Sequence, residues 1–368
     1  MSDRPDPQGP GTRDGEPDDI DLNDPDADLD EDLDADLDDG LDEDERALAA
    51  GAGAAAAVAY DIPEGFHSGF ACFVGRPNAG KSTLTNAIVG EKIAITSSKP
   101  QTTRRIIRGV LNRPDAQLVL VDTPGLHRPR TLLGERLNDL VYETWAGVDV
   151  IGVCLPCNQR IGPGDEFLLK EIAELPRRPK LVALATKTDL VSRERIGQHL
   201  LKIASMEEQL GLTWEAIVPV SALTDDQVDI VVDELVALLP AGPPLFPDDE
   251  VTDEPVETRI AELIREAALE GVSDELPHSI AVIIDEMRPR EDRPADKPMM
   301  DVFASIVVER ESQKGIIIGH RGERLKEVGR TARLQAKQLL GMPVHLAIHV
   351  KVMPDWQRDA KYLNRLGF

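Results

Sequence analysis

Aromatic side chains make up only 4% of this sequence, and its 368 residues include three cysteines. Three cysteines cannot build a disulfide framework, and so low a number suits a reducing compartment. Cys154 and Cys157 form one CxxC with no second pair or neighbouring His. That is a weak basis for a zinc site. The pair also ends the apolar run 148–155, so both cysteines read as structural. No stretch approaches the about 20 apolar residues that span a bilayer. The small run 54–59 is short and preceded by acids, unlike a signal peptide, so a cytoplasmic location is expected. Basic residues are scarce at one end. Residues 1–60 hold 21 Asp and Glu, three Arg and no Lys, which is −18 of a net charge of −26. From Val302 onward the balance reverses, with 12 Lys and Arg against six acids, a local +6. The acidic average therefore does not exclude nucleic acid, because a partner senses local charge.

The length allows two ordinary domains and extra segments. Residues 1–46 are a low-complexity run of Asp, Pro and Gly. Such a run cannot bury enough apolar area to offset the entropy of ordering, so residues 1–65 are expected to be a disordered acidic extension. It reads as a solubilising tail or an over-extended start, or alternatively as a docking tail that mimics nucleic acid. Order is expected from Phe66. Apolar runs at 70–74, 118–121, 148–155, 181–185 and 216–220 alternate with helical stretches from 81 and near 132–144, 196–210 and 228–239. This alternation predicts an α/β domain over 66–240, a mostly parallel sheet with helices on both faces. The Pro/Gly/acid cluster over 241–255 reads as a linker. Residues 256–368 then follow an α-β-β-α-α-β order, an α+β domain unlike the first.

Gly75, Arg76, Pro77, Asn78, Ala79, Gly80, Lys81 and Ser82, followed by Thr83, match GxxxxGK[ST] between an apolar strand and a helix. Glycines let backbone N–H groups wrap phosphates at a helix N-terminus, where the dipole favours negative charge. Lys81 would neutralise β and γ oxygens, and Ser82 would offer a hydroxyl to Mg²⁺. Asp122, Thr123, Pro124 and Gly125 close the next strand, with Leu126 after them. Asp122 suits Mg²⁺, and the Gly125 N–H suits a γ-phosphate. Between these lie Gln101, Thr102, Thr103 and Arg104; a Thr here reaches Mg²⁺ only while the γ-phosphate is present, and Thr103 is preferred over Thr102.

Two further tips select the base. Thr186, Lys187, Thr188 and Asp189 follow one strand, and Ser221, Ala222 and Leu223 follow another. Both should lie at the carboxyl ends of the sheet, where α/β proteins bind ligands. The Asp189 carboxylate can accept from guanine N1–H and its amine, an edge that adenine lacks. The Lys187 stem can lie on the base, and the Ala222 N–H can donate to the guanine carbonyl. The usual motif is NKxD. Thr186 in place of Asn removes an amide that ties the base loop to the phosphate loop, so weaker nucleotide binding is expected. Leu126 stands where small GTPases often place a water-orienting Gln. Asn78 in the phosphate loop is then a candidate helper, or it merely caps the loop.

In the second domain Gly319, His320, Arg321 and Gly322 form a GxxG ahead of a long helix. Lys326, Arg330, Arg333 and Lys337 fall on one face of that helix, and Leu325, Val328, Ala332, Ala336 and Leu339 on the opposite face. Few rings are available, so bases are expected to pack on aliphatic side chains. Residues 316–318 and strand 302–308 are the expected groove.

The runs GRPNAGKST, QTTRR and DTPGLH resemble the bacterial Era family of translation-factor-like P-loop GTPases, over about residues 66–368. The GxxG, topology and basic helix resemble a type II KH domain, which clamps about four single-stranded nucleotides. The resemblance implies binding of GTP and GDP, hydrolysis with Mg²⁺ and assistance by K⁺ at Asn78. It also implies a role in 16S rRNA processing and 30S ribosomal subunit assembly, the RNA target being the single-stranded 3′ end of 16S rRNA. It further implies loose peripheral association with the inner membrane face, although no amphipathic anchor is evident. A monomer is expected. An RNA-binding scaffold with slow or no hydrolysis remains the alternative.

Overall fold

The computed structural model describes residues 65–96, 102–126, 129–272, 279–294 and 296–368. The acidic extension (Gly65 apart), Gln101 and His127 lie outside the described residues.

The first domain is a six-stranded sheet of β1 (His67–Val74), β2 (Ile107–Asn112), β3 (Ala116–Asp122), β4 (Val150–Cys154), β5 (Lys180–Thr186) and β6 (Ala216–Val220), in the order β2-β3-β1-β4-β5-β6. Every pairing is parallel except β2 with β3. That antiparallel edge strand is absent from the sequence reading, which assigned no element to residues 107–112. Successive residues of a strand point to opposite faces. Ala71 and Phe73 of β1 therefore join Leu84 and Ile88 of α1 (Lys81–Val89) and Val231 and Leu235 of α5 (Val228–Ala237) on one face. Cys72 and Val74 join Val141 and Trp145 of α2 (Leu132–Gly147), Leu169 of α3 (Pro163–Ala173) and Ile203 of α4 (Arg193–Leu210) on the other. Cys154 and Cys157 are buried, and burial pushes their thiols up to about 12 and about 11, so both are inert packing groups.

Helix α3 also went unassigned. Pro163 opens it, where a missing N–H costs nothing, and the Asp165 carboxylate accepts from Gly162 N at 2.9 Å. The segment after α5 is fastened rather than loose. Ser68 Oγ donates to the Pro243 carbonyl at 2.6 Å, Gln117 Nε2 to the Phe246 carbonyl at 2.9 Å, and Val110 N to the Val251 carbonyl at 2.9 Å.

The second domain runs α6 (Val256–Leu269), β7 (Ala281–Pro289), β8 (Met300–Val308), α7 (Glu311–Ile318), α8 (Glu323–Leu340), β9 (Val344–Val352) and α9 (Ala360–Leu366). Its sheet has the order β7-β8-β9, antiparallel then parallel. Ile260, Ile264 and Ala268 of α6 and Val328, Ala332 and Ala336 of α8 cover one face. On the other, Trp356, Leu363 and Leu366 pack with Ala281, Val307 and with Leu133 and Leu137 of α2. The two domains thus share a core. Among the described residues no helix is long and apolar enough to cross a membrane.

Candidate nucleotide site and nucleic-acid interface

Between β1 and α1 the chain makes a tight loop. A Cβ on Gly75 would lie 2.7 Å from the Cys154 carbonyl, so only glycine lets the loop press on the end of β4. Asn78 (φ 62°) and Gly80 (φ 101°) are left-handed and turn the backbone into the N-terminus of α1. The Lys81 ammonium folds back over the loop and donates to the Gly75 carbonyl at 3.0 Å and the Arg76 carbonyl at 3.4 Å. Burial lowers its pKa, and the nearby Asp122 charge opposes that shift. Arg76 lies in the loop, but its side chain is committed elsewhere. It donates to Asp165 Oδ1 at 2.8 Å and to the Arg160 carbonyl at 3.0 Å, bracing the loop on α3.

Asp122 closes β3 and is fully buried. Its Oδ2 accepts the Ser82 hydroxyl at 2.8 Å and the Thr103 hydroxyl at 3.1 Å, and the two hydroxyls are 3.3 Å apart. Its Oδ1 is buried with no hydrogen-bond partner. Burial raises the carboxyl pKa. A buried acceptor without a partner is costly, and a cation would relieve that cost. Two hydroxyls around such a carboxylate make an all-oxygen set that fits a hard ion such as Mg²⁺. A Cβ on Gly125 would lie 4.0 Å from Lys81 Nζ, while Thr123 and Pro124 are buried beside it. Leu126 is half-buried and packs among the apolar residues of the α2–α3 face.

At the far end of the same sheet edge, Lys187 (φ 59°) turns the chain after β5 into the short turn Thr188–Leu190. Asp189 is exposed, and its Oδ1 accepts the Ser221 hydroxyl at 2.7 Å, joining the tips after β5 and β6. Thr186 corrects one expectation. Its buried hydroxyl donates to the Ala79 carbonyl at 2.7 Å, so the base loop is still tied to the phosphate loop. The β-branched hydroxyl, placed by the last residue of β5, spans the gap that an amide was expected to be needed for.

In the second domain, Gly319 (φ 70°), Arg321 (φ 49°) and Gly322 (φ 79°) lead into α8. A Cβ on Gly319 would lie 2.6 Å from that of Arg324, so this turn excludes other residues. Lys326, Arg330, Arg333 and Lys337 are exposed along α8. The groove differs in part from the one expected. Strand β8 is central, and its Val302, Ala304, Ile306 and Val308 are buried, as is Ile317, whereas Ile316 is exposed and Ile318 half-buried. Parallel pairing puts β9 at the edge beside α8, and Leu346 and Ile348 line a cavity of about 430 Å³ with Leu325, Lys326, Gly329 and Arg333. The sequence reading gave Arg104 no role and passed over Arg265 and Glu266; all three are buried charged residues at the domain boundary. A single sequence carries no signal for them, because charged residues at such positions ordinarily face water.

A model of the 50S ribosome-binding GTPase family matches residues 70–187, and a KH-domain model matches residues 275–357. GTPase Era of Streptomyces coelicolor is 63% identical over 301 residues, spanning 82% of this chain and 95% of that protein. The chain belongs to the Era family of GTPases. The Era protein of Mycobacterium avium is 59% identical over 303 residues, spanning 82% of this chain and 99% of its own. Two solved Era structures share the architecture, each spanning 82% of this chain and 99% of its own. A complex with MgGDPNP and nucleotides 1506–1542 of 16S ribosomal RNA has a TM-score of 0.77 at 36% identity. A single-residue variant of Aquifex aeolicus Era bound to GDP·AlF4⁻ has a TM-score of 0.76 at 35% identity.

The Thr186 tether makes a direct forecast. Thr186→Ala should weaken binding of GTP and GDP alike by about 1 kcal/mol, the worth of one buried hydrogen bond, and Thr186→Asn should bind as tightly as the parent. Titration with a fluorescent guanine nucleotide decides it. An alanine variant with parental affinity would mean that the tether contributes nothing.

Proposed function

We propose that this chain is a GTP-hydrolysing switch that binds small-subunit rRNA and acts in rRNA processing and 30S ribosomal subunit assembly. The observation that carries the reading is the cluster of Ser82, Thr103 and Asp122, which gathers the phosphate loop, the Thr of the intervening segment and the end of β3 at one carboxylate. Ser82, Thr103 and Asp122 would hold Mg²⁺, and Lys81 and the loop N–H groups would hold the phosphates. When bound, Mg²⁺ supplies positive charge to the β and γ oxygens. Asp189, fixed by Ser221, would read guanine, with Lys187 against the base and Ala222 N–H toward its carbonyl. Loss of the γ-phosphate would release Thr103 and with it the active arrangement.

Leu126 carries no hydrogen-bonding group, so other groups must orient water and offset the developing charge. We assign the charge to K⁺ beside Asn78, which is exposed on a left-handed turn of the phosphate loop. Basal turnover is therefore slow. The RNA half rests on the exposed basic face of α8 beside the aliphatic groove. The Era structure solved with a 16S rRNA fragment supports rRNA as the ligand, and a single strand is the form that a KH groove takes. The protein acts in the cytoplasm as a monomer in this reading, with peripheral contact to the membrane as a secondary location.

GTP turnover should be faster in KCl than in NaCl at equal ionic strength, and Asn78→Ala should remove the difference. Equal rates in both salts would take K⁺ out of the mechanism. For the RNA half, replacing both His320 and Arg321 with Asp puts carboxylates where phosphates must lie. Single-stranded RNA affinity should fall by about 2 kcal/mol or more, the worth of one or two charge-assisted hydrogen bonds plus repulsion. GTP binding measured without RNA should not change. Parental RNA affinity in that variant would reduce the GxxG to a turn.

A further inference from the structure

Thr103 is flanked by residues that the second domain grips. On its one side the Thr102 carbonyl accepts from Arg265 Nη2 of α6. On its other side Arg104 Nη1 donates to the Ile280 carbonyl, just before β7, at 2.7 Å. Farther back, Glu266 Oε1 accepts the Thr96 N–H at 2.8 Å and the Thr96 hydroxyl at 3.3 Å. The other oxygen of Glu266 accepts the Lys92 ammonium, and also the Gln335 amide of α8 at 3.2 Å. Arg105 Nη2 reaches the Leu366 carbonyl of α9 at 2.5 Å. These contacts flank Thr103 and reach back to Thr96, and they come from α6, from the residue before β7 and from α9 of the RNA-binding domain.

The gripping groups are charged and almost inaccessible. Arg265 is 2% exposed, Arg104 3% and Glu266 5%. Arg265 is itself fixed by Glu262, which takes its Nε at 2.9 Å and its Nη2 at 2.6 Å. Burying charge is expensive, and apolar residues of similar size would pack a domain boundary as well or better. What charges add is direction: a guanidinium aimed at one carbonyl fixes the plane of the Thr102–Thr103 peptide. That plane sets where the Thr103 hydroxyl can point, and it points at Asp122 Oδ2.

We infer that Arg265 and Glu266 are positioning residues for the GTP-bound state: from the RNA-binding domain Arg265 holds the peptide that presents Thr103 to the metal site, and Glu266 holds Thr96 ahead of it. The inference rests on the reading of Thr103 as a ligand used only in the GTP state. Through Gln335 the same Glu266 touches α8, the helix whose opposite side carries Lys326, Arg330 and Arg333, so the helix with the basic face is hydrogen-bonded to a residue that also holds Thr96. Any coupling between a ligand on α8 and the nucleotide must be reciprocal.

The test uses full-length chain and measures binding of a non-hydrolysable GTP analogue and of GDP, both with Mg²⁺. Arg265→Met should weaken the GTP analogue about tenfold, the size expected for one charge-assisted hydrogen bond, and leave GDP within about twofold of parent. Arg265→Lys, which keeps a cation, should recover most of the difference. If Arg265→Met does not fold, Glu266→Gln carries the test, with a smaller loss of the same selectivity. An unchanged ratio of the two affinities, or an equal loss of both nucleotides, would overturn the inference and leave these residues as packing. A parent protein that binds no GTP would instead overturn the proposed function.

Discussion

The carboxylate of Asp122, buried at the end of β3, accepts the hydroxyls of Ser82 and Thr103, and the rest of the site is arranged around that meeting. Ser82 arrives on α1, directly after a phosphate loop that is pressed on β4 by Gly75 and braced on α3 by Arg76. Thr103 arrives on a segment that the sheet alone does not hold. Asp122 Oδ1 is left without a protein partner, a buried acceptor whose cost a divalent cation would offset.

The second domain enters the same constraint from outside. Its α6 faces the Thr103 segment with two buried charged residues, and its opposite sheet face shares Trp356, Leu363 and Leu366 with Leu133 and Leu137 of α2. A shared apolar core fixes the distance between domains, and directed hydrogen bonds select the backbone conformation within it. This division of labour suits a switch, because core contacts are insensitive to one hydroxyl, whereas aligned polar contacts are lost with small movements. RNA bound along α8 and nucleotide bound at the sheet edge need not touch each other to be coupled.

Much of this was legible in the residues. The phosphate loop, the DTPG after a strand and the tips at Asp189 and Ser221 are local patterns whose spacing encodes their geometry, and the strand–helix alternation gave the layers. The basic and apolar faces of α8 follow from helical period alone. Other features depend on which elements become neighbours. Strand β2 hides in a run rich in Arg, and its Gly109 is needed because a Cβ there would strike Ile93. The groove was placed on β8 because alternation does not reveal strand order, and only pairing makes β9 the edge. The Thr186 hydroxyl reached Ala79 because β5 delivers it there, which residue type could not foretell. Arg265 and Glu266 lie beside Ile264 and Ala267 on α6, and nothing local says that this part of the helix meets another domain rather than water.

The central claim is that one chain carries a guanine-nucleotide site and an RNA site whose occupancies are linked through the Thr103 segment. It is tested most directly by titrating single-stranded RNA from the 3′ end of 16S rRNA into the parent protein saturated with Mg²⁺ and either a GTP analogue or GDP. The account predicts RNA affinities that differ severalfold between the two nucleotide states, with the RNA shifting the relative affinities of the nucleotides by the same factor. Identical RNA affinity in both states would contradict it.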